Sequence, residues 1–167
     1  KVALIKDRAF FEWIKANAAL LAAGNMEAMQ YLIKRCAELH LQHIAGGDPF
    51  EMGSSRPLDF GHWSAHKVEQ LSGFDIRHGE AVAMGIALDS AYSFLEGRLE
   101  EADAKTIVAV LKALGFSVTH PLVDIQNEES PVLKGLQEFR EHLGGQLTIM
   151  LLESVGKGVE VHELDAT

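Results

Sequence analysis

The sequence predicts a mainly α-helical bundle with a small β-hairpin appended near its end. Three observations carry this expectation. Apolar residues recur at helical spacing through six successive segments, and glycine, asparagine, aspartate or proline bounds most of them. Only two short stretches, both late in the chain, alternate as strands do.

Asp7 is placed to cap the first helix, whose Phe10, Ile14, Ala18 and Leu21 share one face until Gly24 ends it. Asn25 caps a longer second helix with a stripe of Met29, Ile33, Cys36, His40 and Ile44, which turns His40 inward; Gly46-Gly47 breaks it. Gly46 to Pro57 has glycine, serine and proline without periodicity and reads as a loop. A third helix is expected over Leu58 to Leu71. After a short connection at Gly73 to Arg77, Ala81, Met84, Gly85, Leu88, Ala91, Tyr92 and Leu95 give the cleanest amphipathic pattern in the chain. A fifth helix carries Ile107, Val108, Leu111 and Leu114 and stops at Gly115, and a sixth follows Pro131. Leu147 to Leu152 and Val159 to His162 pair as a hairpin around Gly156-Lys157-Gly158.

At 167 residues the chain fits one domain, 1–167, and 47% apolar with 23% charged residues is a globular rather than a disordered composition. A formal charge of −9, with basic residues scattered among acids, argues against a nucleic-acid partner. The apolar run Val2 to Ile5 is too short for a signal-peptide core or a membrane span, so no membrane partner is expected. The single cysteine, Cys36, cannot form an internal disulfide, which fits a cytoplasmic setting.

The chemistry concentrates between Asp59 and Val82. On the expected third helix His62, His66 and Glu69 stand at i, i+4 and i+7, so their polar groups face one small object, and His78 at the start of the next helix can reach the same point. A neutral imidazole offers a lone pair near physiological pH, which makes a metal ion a candidate for that object. Taken singly, neither motif is specific: two histidines four apart arise by chance in a chain with eight, and a histidine before a helix often only caps it. The zinc-protease pattern H-E-x-x-H is not met, because Trp63 stands where its glutamate would.

The combination is more specific. Phe60-Gly61-His62, His66, Glu69 and then His78-Gly79-Glu80-Ala81-Val82 resembles, in order and spacing, the signature of the 3-dehydroquinate synthases and related sugar-phosphate cyclases. Phe10-Phe11-Glu12-Trp13, the second helix and Gly144-Gly145 before a strand also fit that family's C-terminal, metal-binding domain. The resemblance implies an NAD- and metal-dependent phosphate elimination and carbocyclisation of a heptulose or heptulosonate 7-phosphate, a small-molecule sugar phosphate. It carries two zinc or cobalt ligands onto His62 and His78, the proton-relaying histidine onto His66 and a catalytic lysine onto Lys1. The family's third ligand, a glutamate, falls just upstream of the lysine and so outside these residues. With no glycine-rich turn between strand and helix here, most of the NAD pocket is expected in a separate N-terminal domain. A homodimer is a further possibility that the resemblance raises.

Departures from the pattern bear on the substrate. The resemblance puts Asp59 where dehydroquinate synthases carry asparagine, His40 and the neighbourhood of Glu141 and His142 where they carry lysines, and Ser55, with Arg56 one place later, where they carry arginine. His40, Arg56, Asp59 and His142 are therefore candidate substrate contacts, and the loss of cationic groups points away from a carboxylate-bearing substrate. The alternatives are a 2-epi-5-epi-valiolone-type cyclase acting on sedoheptulose 7-phosphate, an iron-type alcohol or glycerol dehydrogenase, and a non-catalytic helical interaction module.

Overall fold

The structure, a computed structural model, describes residues 1–45, 59–123, 130–142 and 147–163, with the backbone alone at 44, 137 and 139–142. Eight helices and one hairpin make up the described residues: α1 (Val2–Lys6), α2 (Arg8–Ala16), α3 (Ala18–Ala22), α4 (Met26–Ala45), α5 (His62–Leu71), α6 (His78–Leu95), α7 (Glu101–Ala113), α8 (Pro131–His142), β1 (Ile149–Ser154) and β2 (Lys157–Val161). The expected helical bundle with a small hairpin is what forms. No described helix is long and apolar enough to cross a membrane.

The caps lie where side-chain chemistry puts them. Asp7 Oδ1 accepts from Phe10 N at 2.9 Å, and Asn25 Oδ1 accepts from Ala28 N at 3.0 Å. The segment expected as one helix from Asp7 to Gly24 is instead two. Asn17 ends α2 by donating from its side-chain amide to the Trp13 carbonyl at 2.8 Å, and α3 restarts behind it. The short apolar run before Asp7 forms α1, buried at Val2, Ala3, Leu4 and Ile5.

The inward stripe of α4 is rotated from the expected one. Ala28 and Leu39 are buried and Leu32 and Cys36 partly so, whereas Ile33 is 62% exposed and His40 faces solvent. Two overlapping apolar stripes exist on this helix, and contacts to α2 choose between them. Arg35 pairs with Asp7 at 2.6 Å, and the rings of Tyr31 and Trp13 lie 4.3 Å apart. His40 is thereby carried outward, correcting its expected inward position.

The helix α6 is not one-sided as its pattern suggested. Ala81, Ala83, Met84, Gly85, Ile86, Ala87, Asp89, Ser90 and Ser93 are all buried, while Ala91 is exposed and Leu95 is 77% exposed. The cause is its central place, packed against α5, α7 and β1, so that small residues are needed on several sides. Its buried residues divide between two apolar clusters: Ala83, Ile86 and Ala87 join one with α1, α2 and α7, and Ala81 and Met84 join the other with α5 and α8.

The hairpin sits between the same two clusters. Met150 and Leu152 face the first and Ile149 and Leu151 the second, the period-two division of a strand buried on both faces. β1 and β2 pair antiparallel, with Ile149 opposite Val161 and Ser154 opposite Lys157. The turn falls at Val155-Gly156, one residue earlier than the expected Gly156-Lys157-Gly158. Gly156 has φ +89°, and its N–H donates to the Leu4 carbonyl at 2.7 Å. That contact ties the hairpin tip to α1 and so anchors the segment that follows Lys1.

Candidate metal centre

The helix expected from about Leu58 starts, among the described residues, at His62; Asp59 to Gly61 form a turn, and residues 46–58 lie outside the described ones. Gly61, at φ +77°, is left-handed, a conformation glycine adopts without Cβ strain. It lies against Gly85 of α6: a Cβ on Gly85 would overlap the Gly61 carbonyl, and one on Gly61 would lie 2.8 Å from Ile86 N. This pair of glycines lets the first turn of α5 touch the backbone of α6, and it brings the histidines of the two helices together.

The rings of His62 and His78 have centres 5.3 Å apart, those of His62 and His66 5.6 Å, and those of His66 and His78 5.9 Å. Two imidazoles sharing one tetrahedral ion at nitrogen distances of about 2.0–2.1 Å would have ring centres roughly 5 Å apart. The donor set and its spacing therefore fit a divalent ion with only side-chain adjustment. Ligand atoms of His66, Glu69 and His78 also lie within 4.8 Å of one another.

Hydrogen bonds distinguish the three rings. His62 Nδ1 lies 3.1 Å from the Phe60 carbonyl, which can only accept, so Nδ1 carries the proton and Nε2 keeps its lone pair. Lys1 Nζ stands 3.5 Å from that Nε2. Burial, then the Lys1 charge, lowers the His62 pKa to about 4, against a smaller opposing effect of the Phe60 carbonyl. The ring is thus neutral at physiological pH, the state a metal ligand needs. His78 Nδ1 lies 2.9 Å from Glu69 Oε2. His66 is exposed, its ring lies against those of the other two histidines, and a Glu69 carboxylate oxygen is within 4.8 Å of one of its ring nitrogens.

Lys1, His62, His66 and His78 are therefore brought together. Asp59 is half-buried at the turn leading into His62. His40 is exposed on α4; Arg56 lies outside the described residues, as does the side chain of His142. Sequence reasoning set Glu69 on the histidine face without pairing it to His78, and it missed Asp89. Asp89 is only 2% exposed and accepts from Gly61 N and Trp63 Nε1, each at 2.8 Å. A lone carboxylate inside the apolar run Met84 to Leu88 and beyond was the available signal.

The family described as 3-dehydroquinate synthase C-terminal matches residues 1–134. A 3-dehydroquinate synthase of Pseudoalteromonas atlantica is 30% identical over 175 aligned residues, which take in 100% of this chain and 46% of that protein. The solved structure of ValA, a 2-epi-5-epi-valiolone synthase from Streptomyces hygroscopicus subsp. jinggangensis with NAD+ and Zn2+ bound, superposes with a TM-score of 0.89 at 26% identity. It covers 99% of this chain and 45% of that one. The chain thus spans about half the length of the relatives it matches. It belongs to the 3-dehydroquinate synthase family, as a counterpart of that family's C-terminal region.

Proposed function

We propose that this chain is the metal- and substrate-binding domain of a sugar-phosphate cyclase, which eliminates phosphate from a heptulose or heptulosonate 7-phosphate and closes it to a carbocycle. The observation that carries the reading is the convergence of His62, His66 and His78, from two helices, with ring centres 5.3–5.9 Å apart. The two relatives bear names of this reaction class, and one was solved with NAD+ and Zn2+. They are about twice as long as this chain, so a nucleotide-binding region outside these residues is part of the proposal.

His62 and His78 would hold a zinc or cobalt ion. Bound NAD supplies a reversible hydride acceptor, and the bound ion supplies a Lewis acid for adjacent hydroxyls, the two capacities that a net redox-neutral elimination and ring closure draws on. His66 takes the proton of the reacting hydroxyl on a ring nitrogen and returns it, a task suited to an exposed imidazole. Lys1 places an ammonium beside His62, where it stabilises an anionic substrate oxygen. Asp59 accepts hydrogen bonds from sugar hydroxyls and disfavours a substrate carboxylate, so the preferred substrate is a heptulose 7-phosphate such as sedoheptulose 7-phosphate.

The test is release of inorganic phosphate by the whole enzyme with NAD and zinc, on sedoheptulose 7-phosphate and on a heptulosonate 7-phosphate. Phosphate release without net NADH is the expected result. NADH accumulating from a simple alcohol, with no phosphate released from either sugar, would replace the cyclase with a metal-dependent dehydrogenase.

A further inference from the structure

Glu69 stands in the last turn of α5, three residues after His66, and reaches across the turn at 72–77 to the first residue of α6. Its Oε2 lies 2.9 Å from His78 Nδ1. The side chain of Glu69 is only 16% exposed, against 55% for His78. Among the described residues the ion pair with His78 is the one Glu69 makes; no lysine or arginine takes it. A carboxylate near a helix C-terminus is locally unfavourable, and the last turn of α5 has no basic residue to offset it. The N-terminus of α6, where His78 sits, favours an anion instead.

We infer that Glu69 is the positioning residue of His78: it accepts the Nδ1 proton, holds that tautomer and aims the Nε2 lone pair into the space shared with His62. The inference rests on the metal reading proposed above. His62 is held in the same sense, its Nδ1 against the Phe60 carbonyl, so both rings present the same nitrogen. A carboxylate behind a metal-binding imidazole fixes the ring and raises its basicity. In this arrangement Glu69 stands on the Nδ1 side of the His78 ring and the shared ion on the Nε2 side. The competing arrangement, with Glu69 a ligand alongside His66 and His78, whose ligand atoms lie within 4.8 Å of one another, is the one the Glu69→Gln outcome below detects. Asn, Gln or a backbone carbonyl could fix the tautomer equally, but only a carboxylate adds negative charge to the ring.

The experiment uses the whole protein, with zinc or cobalt affinity measured by chelator competition. His78 tautomers are read from ring 15N shifts of the metal-free protein. Glu69→Ala should weaken metal binding about 10–100-fold and move His78 away from the Nδ1–H tautomer. Glu69→Gln keeps an acceptor and should hold the tautomer while recovering part of the affinity. The inference is overturned if Glu69→Ala leaves both affinity and tautomer unchanged. It is equally overturned if Glu69→Gln loses metal as completely as His78→Ala, which would make Glu69 a ligand. Native affinity in His78→Ala would instead remove the metal reading itself. Thermal melts of the Glu69 variants separate these results from misfolding, because a variant that keeps its cooperative transition is folded and its lost affinity is then local.

Discussion

Asp89 accepts a hydrogen bond from the indole Nε1 of Trp63 at 2.8 Å, and its second oxygen accepts the Gly61 N–H at the same distance. One buried carboxylate on α6 therefore grips the chain on both sides of His62. Burial raises its pKa to about 7, against the two hydrogen bonds, which favour the charged form. A folded pKa above the unfolded value means that the group's contribution to stability is fully present below about 4 and is lost as pH rises through about 7. Asp89→Asn should flatten that part of the pH dependence, a slope on the order of a few kcal/mol over the window. Below about pH 7, where the native side chain is neutral, it should also lower stability, because one of the two N–H donors would then face an amide NH2. Denaturant unfolding from pH 4 to pH 8 compares the two proteins, and parallel curves would remove the assignment.

Gly85→Ala should destabilise the protein by about 1–3 kcal/mol, since its methyl group would overlap the Gly61 carbonyl and push the first turn of α5 off α6. The same displacement should weaken metal binding by separating His62 from His78. Alanine at Gly79, where a Cβ meets nothing within 4 Å, is the control that should leave both unchanged. Melting temperature and metal affinity are the measurements.

The neutral state of His62 has its own pH signature. With the folded pKa lowered to about 4, its contribution to stability is fully present above the unfolded value of about 6.5 and is lost as pH falls through 4. His62→Gln should therefore lose less stability than the native protein between pH 6.5 and pH 4. Unfolding midpoints across that range in metal-free buffer decide it, and an equal loss in both proteins would show that His62 titrates normally.

His66 and His78 should fail differently. His66→Ala should lower kcat by about 10²–10⁴-fold while leaving metal affinity near native, whereas His78→Ala should lose the metal. Phosphate-release kinetics at saturating zinc, alongside chelator competition, distinguish a proton carrier from a ligand.

Asp59→Asn should shift preference toward a heptulosonate 7-phosphate, about tenfold or more in the ratio of kcat/KM for the two substrates, because an anion facing the substrate carboxylate becomes a neutral amide. An unchanged ratio would place Asp59 away from the carboxylate.

Signals confined to a few consecutive residues were legible in the sequence. Asp7 and Asn25 cap helices because a short polar side chain reaches the next turn of its own helix, and Gly156 turns a hairpin because its backbone permits positive φ. The histidine face was equally legible, since i and i+4 positions adjoin on any α-helix. Tertiary contacts decided what lies between elements. Two apolar stripes on α4 were compatible with its sequence, and the Asp7–Arg35 pair and the Trp13–Tyr31 contact selected the one that leaves His40 in solvent. The buried sides of α6 became evident only with α5, α7 and β1 in place. Asp89 and Glu69 belong to the same class. Each is an ordinary acid in its own helix, and each takes its role from a donor in another segment, 28 and 26 residues away for Asp89 and 9 for Glu69. A helical pattern encodes periodicity along one axis; the rotation of that axis against its neighbours is set by packing, and this rotation puts Glu69 behind His78 and Asp89 behind the turn that leads into His62.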